Sequence, residues 1–318
     1  MQKITIFALV LTAFTSCIKD TATTTDNNSE KNINFSLKFD PTQARLGNAG
    51  QIVSVLPTGN AGQNPAFKTM AVHFIELCPD STSALSTSSV NLPNISILLY
   101  KGVEVNNGGV AIDFDQLKKA AQGEKFFSAP IKGIKAGTYK FIRVSVAYQN
   151  YDILYNLNNI PVIGNLPNQK ARVASFLGFN SYIRKATINT KDTTINGNRA
   201  QGFGLSESTI SINSPIIYSR TILGGWQSAG TTVVNPVAQS LVGLPLNSCL
   251  IQGKLAKPLV ITGNETADIN AILSFSTNKS FEWRDTNGNG QLDFDATTPA
   301  NSEKVVDMGL RGLIATWQ

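Results

Sequence analysis

The chain holds a single histidine, His73, among its 318 residues. That scarcity excludes imidazole-rich metal sites and leaves one candidate for histidine acid–base chemistry. Charge is also thin: 15% of residues are Asp, Glu, Lys or Arg, against roughly 25% in ordinary soluble domains. Long exposed helices and coiled coils draw on charged helix formers, so the shortage disfavours both. The formal net charge is +6, but no dense Lys/Arg run occurs, and the footprint of a nucleic-acid binder is missing. Apolar runs are short as well. The N-terminal one, Ile4 to Thr15, has twelve residues, or ~18 Å of helix against a ~30 Å hydrocarbon core. It is too short to span a bilayer and reads, after Met1-Gln2-Lys3, as the h-region of a secretory signal. No G-x-S-x-G, H-E-x-x-H, Walker loop or dinucleotide fingerprint is present, so the enzymes that carry those motifs are excluded. A carboxylate pair assembled by the fold is not.

What is present is 42% hydrophobic residues, 25 Gly and 13 Pro, the composition of a folded chain rich in strands and turns. Phe14-Thr15-Ser16-Cys17 resembles the lipobox of bacterial lipoproteins, with Phe14 in place of the common Leu. The resemblance implies that residues 1–16 are removed and that Cys17 carries the lipid, anchoring the protein to a membrane by two or more acyl chains. Residues 17–31 are polar and without aromatics, too poor in apolar surface to offset ordering entropy, and read as a flexible tether.

From residue 32 onward the pattern is that of an all-β protein. Ile33, Phe35, Leu37 and Phe39 alternate with polar residues, the period of a half-buried strand. Met70–Leu77, Asn94–Tyr100, Val110–Phe114, Tyr139–Tyr148, Ser181–Ile188, Ser208–Ile212, Leu255–Ile261, Ile269–Trp283 and Gly309–Trp317 follow as further strand candidates. In Tyr139–Tyr148 the alternation puts Ile142, Val144, Val146 and Tyr148 on one face. Gly108-Gly109 marks a hairpin turn before Val110. Only Asp115–Ala121 reads as helix, about two turns long with Asp115 as N-cap. Strands separated by Gly, Pro and Asn turns, without helices between them, predict an antiparallel, Greek-key-like β-sandwich over 32–318. The turn-rich stretch near 156–171 is either a linker between two lobes or a long crossing loop.

Four segments, MAVHFIEL at Met70, GTYKFIRVSVAYQNYD at Gly137, NKSFEWRDTNGNG at Asn278 and VVDMGLRGLIATWQ at Val305, resemble uncharacterised Bacteroidota-type lipoproteins. That resemblance implies an outer-membrane location, on the surface or the periplasmic face. The opening strand Phe35–Phe39 and the Gly137-Thr138-Tyr139 turn are similar, more weakly, to the MbnP-like periplasmic domains. This second resemblance implies copper handling, and no ligand set is transferred from it.

The sharpest chemical motif is the run from Asp285 to Asp293, which follows D-x-[DN]-x-[DN]-G, the opening of a calcium loop. Asp285, Asn287 and Asn289 occupy positions one, three and five. Gly290 permits the sharp turn, the Gln291 carbonyl supplies position seven, Leu292 is an apolar anchor, and Asp293 takes position nine. Position twelve is Ala296, so Asp295 or a distant carboxylate must replace the usual Glu. An unliganded Asn/Gly-rich turn is the alternative. Cys78 and Cys249 either form a disulfide, which an extracytoplasmic location permits, or remain buried thiols. Met70 and His73, with Met308, are soft copper donors by type, yet positions 70 and 73 of one strand face opposite ways. Tyr148, Tyr151 and Tyr155 with Trp226 are candidates for an aromatic glycan platform or, by default, core packing. The expectation from all of this is a non-catalytic, lipid-anchored sandwich that binds a ligand or partner or serves a structural role. Its rivals are a copper-handling protein and a carboxylate-dependent glycan-processing enzyme.

Overall fold

The computed structural model describes residues 30–83, 96–212, 218–227 and 248–318, except Asn48, Ser54 and Gly309. The leader at 1–16, Cys17 and the tether as far as residue 29 lie outside the described residues. From the N-terminus the strands are β1 (Asn32–Asp40), β2 (Asn60–Gln63), β3 (Ala66–Cys78), β4 (Ile97–Lys101), β5 (Glu104–Asn106), β6 (Val110–Asp113) and β7 (Lys125–Pro130). The middle of the chain supplies β8 (Gly137–Ile160), β9 (Gly164–Phe176), β10 (Asn180–Thr187), β11 (Asp192–Ala200), β12 (Phe203–Ile212) and β13 (Tyr218–Gln227). The last third adds β14 (Cys249–Ile261), β15 (Ile269–Ser276), β16 (Phe281–Arg284), β17 (Asp293–Asp295), β18 (Val305–Asp307) and β19 (Leu313–Trp317). The fold is an all-β sandwich, and no helix among the described residues is long and apolar enough to cross a membrane.

β8 organises the molecule. It is 24 residues long, and its first half lies between β3 and β14 while its second half pairs with β9. Ile142, Val144 and Val146 from β8 join Val72, Ile75 and Leu77 of β3 and Ile251 of β14 on one buried face. Across the core they meet Phe35 and Leu37 of β1 and Leu273 and Phe275 of β15. β14 and β19 meet at a single bridge, Leu255 with Ala315, so one continuous sheet bends over to cover its own apolar face. Two smaller sheets cover the rest. β11-β10-β6-β5 lies over Tyr148, Phe176 and Leu205, and β18-β16-β2 lies over Tyr151, Ile153 and Val173.

Four features differ from the sequence expectations. The sandwich is mixed rather than purely antiparallel: β1 with β15, β6 with β10, β14 with β19, and β8 with β17 run parallel. Parallel neighbours need long connections, and Ile33 beside Ile269 joins opposite ends of the chain. Residues 156–171 are neither a linker nor a crossing loop but the far end of the β8–β9 hairpin, with Asn159 and Val162 at positive φ near its turn. Tyr148 leaves the face of Val146, because Ala71 pairs with Tyr148 while Val72 pairs with Val146. The bulge at Ala147 inserts one residue and reverses the side-chain parity. Finally, the expected helix at Asp115–Ala121 shrinks to a single 3-10 turn, Phe114–Gln116, capped by Asp113, whose carboxylate accepts the Asp115 N–H at 3.2 Å. Ala120 exchanges two backbone hydrogen bonds with Met70 instead, each 3.0 Å, which satisfies its peptide groups without a helix.

Candidate functional site

The Asp285–Asp293 loop connects β16 to β17, so a strand precedes it, as its sequence suggests, and no helix flanks it. Gly288 and Gly290 take φ of 74° and 73°, the left-handed region open to glycine. Asp285 caps the turn: its two oxygens accept the N–H groups of Gly288 and Gly290 at 2.8 and 2.9 Å. Asn287 and Asn289 each accept the N–H two residues on, at 3.0 and 2.7 Å. Leu292 is buried beside Trp283 and Phe281, and the Trp283 indole N–H donates to the Gln291 carbonyl at 3.1 Å. Local sequence builds this much.

Tertiary structure adds the rest. β17 pairs in parallel with the end of β8, setting Asp293 beside Asn156. Four side-chain amides therefore converge on the Asp293 carboxylate. Asn287 and Asn289 donate to one oxygen at 2.9 and 2.7 Å, and Asn156 and Asn158 to the other at 3.0 and 2.9 Å. Asn156 also donates to the Gln291 side-chain oxygen at 2.7 Å. Burial pushes the Asp293 carboxyl up, but the four donors outweigh it and hold it below the ordinary carboxylate range.

Glu303, ten residues past the loop, is the carboxylate that the fold brings against it. It is 3% exposed, and its oxygens accept the N–H of Thr286 at 2.8 Å and of Asp293 at 3.0 Å. Burial raises its pKa above the ordinary value; the two N–H donors oppose this, and the charges of Asp293 and Asp285 add to it. Asp295 points elsewhere, capping the N–H groups of Thr297 and Thr298 and accepting from Asn159. Among the described residues, no three His, Cys, Asp or Glu side chains form a cluster set to hold a metal. The loop's oxygens are chiefly amide and backbone ones, with Asp285, Asp293 and Glu303 around them.

The other residues singled out from the sequence part company. Cys78 and Cys249 are free and buried, which corrects the disulfide alternative. They lie on strands flanking opposite sides of β8, opposite Phe141 and Val146; two inter-strand spacings of ~4.8 Å already exceed the reach of a disulfide. The copper candidates do not converge. Met70 sits in the main core, the His73 Nε2 is 2.9 Å from Glu104 Oε1, and the Met308 sulfur accepts the Trp226 indole N–H at 3.1 Å. Of the aromatic candidates, Tyr148 packs on Phe114 and Phe176, and Tyr151 is sealed in the core against Ser175. Tyr155 and Trp226 do meet, lining a cleft of about 440 Å³ together with Phe281, Phe294 and Glu303.

A smaller polar cleft of about 250 Å³ opens on the other side of the same sheet, holding Asp152, Arg172 and Glu207. Asp152 pairs with Arg172, Lys170 and Lys68, and Glu207 accepts the N–H groups of Asn189, Thr190 and Lys191. Burial pushes both carboxyls up, and these partners outweigh it and hold both below the ordinary range. No known protein family matches the chain, and neither a curated protein nor a solved structure matches it.

Proposed function

We propose that this is a non-catalytic binding protein, lipid-anchored through Cys17 at the outer membrane, whose Asp285–Asp293 loop takes a structural calcium ion. The observation that carries the calcium reading is Glu303, a buried carboxylate brought against both ends of a loop that lacks its own twelfth-position ligand. Calcium accepts six to eight oxygens, many of them amide or carbonyl. The Asn287 and Asn289 side-chain oxygens, each already accepting one backbone N–H, keep a second lone pair for the ion, and the amide nitrogens release Asp293 when it binds. Asp285, Asn287, Asn289, the Gln291 carbonyl, Asp293 and Glu303 then form an oxygen set of the right type. The ion neutralises the charges of Asp293 and Asp285, which otherwise add to the rise in the Glu303 pKa.

The binding role is favoured over glycan processing by the state of the clefts. A glycosidase pair needs one carboxylic acid held protonated. Asp152 and Glu207, which share one cleft, are both stabilised as anions. Glu303, whose carboxyl burial raises, is the only carboxylate among the described residues lining the other cleft. It has no second one across the cleft to complete a pair, and it gives both oxygens to backbone N–H groups. Copper handling gains no support from Met70, His73 and Met308, whose partners are separate.

Titration calorimetry with calcium on the full chain tests the proposal. The expected result is saturable heat with an affinity of ~10⁻⁴–10⁻³ M, the range of extracellular modules. At ten times the dissociation constant the folded state gains about 1.4 kcal/mol and a higher melting temperature. No heat and an unmoved melting temperature would sink the calcium reading.

A further inference from the structure

The main sheet is wider than the layer that covers its end. β8, β9, β12 and β13 stand side by side, whereas the covering sheet stops at its edge strand β18. The strip that no other described residue covers is the 440 Å³ cleft, with Ile153 and Tyr155 on one side and Val305 of β18 on the other. Its shape is set by two glycines. A Cβ on Gly204 would stand 2.6 Å from the Trp226 ring, so the indole sits against bare backbone. Gly224 faces Ser206, where a Cβ would come within 2.9 Å of the hydroxyl, and it leaves the floor beside Trp226 free of side chain. Tyr155 and Phe294 meet edge to face at 5.5 Å and 72°, forming a second aromatic wall.

Four polar side chains along this cleft, Tyr155, Ser208, Trp226 and Glu303, are already engaged. The Tyr155 hydroxyl is 2.7 Å from Ser208 Oγ, which donates onward to the Lys170 carbonyl at 2.8 Å. The Trp226 N–H is bonded to Met308 and the Glu303 oxygens to the backbone, while Lys304 is exposed to solvent. A ligand finds apolar surface and ring faces, and the one buried carboxylate there, Glu303, is already held by backbone N–H groups. Clefts of ~300–1,000 Å³ with aromatic walls are sized for small molecules.

We propose that the cleft binds a neutral, mainly apolar small molecule carrying a planar ring, stacked on Trp226 and held by burial rather than by charge. This rests on the ligand-binding part of the function proposed above and not on its calcium part. Fluorescence titration of the full chain with N-phenyl-1-naphthylamine, a neutral ring probe, tests it. The expected result is a saturable, blue-shifted rise, weakened at least tenfold by Gly224→Leu, which fills the floor. Should that variant fail to fold, Val305→Glu, at the half-exposed rim, puts a charge on the wall and gives the same loss. Equal binding by wild type and a folded variant overturns the proposal, as does equal or tighter binding of the sulfonated analogue 1-anilinonaphthalene-8-sulfonate. A chain that takes calcium but shows no saturable probe signal overturns this inference and leaves the calcium reading standing.

Discussion

Asp293 accepts from four asparagine side chains, two inside its own loop and two from β8. The loop pair is legible in the D-x-N-x-N-G spacing, because ligands two residues apart in a tight turn share one side. Asn156, Asn158 and Glu303 are not, because sheet register alone brings them there. Glu303→Gln tests the residue directly: it should lower calcium affinity at least tenfold. Gln keeps one acceptor oxygen for two N–H groups, so the urea midpoint should also fall, by about 1–3 kcal/mol in stability. The cysteines make a second residue-scale case. Even spacing rules cannot pair Cys78 with Cys249 when β8 stands between them. Under non-reducing conditions the intact mass should show both thiols, and a disulfide-exchange reagent should reach them only in denaturant. Burial explains the inertness, since it pushes both thiols up to about 12, away from the reactive thiolate.

Among the elements, strands with clean alternation are legible: β1 buries every second residue over Ile33–Phe39. β9 and β11 are not, since GNLPNQK and DTTINGNRA are polar and turn-like by composition. Their strand state comes from hydrogen bonding to neighbours already in place, which outweighs weak propensity. The bulge at Ala147 is similarly invisible, yet it decides that Tyr148 packs in a different layer from Val146. Closure of the sandwich rests on another local device. A Cβ on Gly253 of β14 would stand 2.6 Å from the Leu313 carbonyl oxygen of β19. Gly253→Ala should therefore force these strands apart and cost about 1–3 kcal/mol, read from urea denaturation with the m-value unchanged.

For the whole molecule, the buried thiols and tyrosines set the alkaline limit. Tyr148 is pushed up to about 12 by burial, as are the two thiols, from ordinary values of 10.0 and 9.0. The folded state keeps these protons while the unfolded chain loses them, so rising pH favours unfolding. Stability should be retained below about pH 9 and fall between there and about pH 12, by up to about 1.4 kcal/mol per pH unit for each group in its window. Urea midpoints measured across that range check the sign; a midpoint that rises contradicts it. The anchor also belongs to this scale. Radiolabelled palmitate should enter the full chain and be lost in Cys17→Ala, and unchanged labelling of the variant would remove the membrane from the proposal.

By itself the sequence determined the all-β class, the strands with period-two burial and the turn chemistry of the Asp285–Asp293 loop. These rest on interactions within a few residues of one another, where composition and spacing act directly. Tertiary structure alone decided the parallel pairings, the separation of Cys78 from Cys249, the arrival of Glu303 at the loop and the cleft under Trp226. Each joins residues from ten to more than two hundred positions apart through tertiary packing and sheet register, and register depends on the whole set of buried faces, which no local pattern encodes.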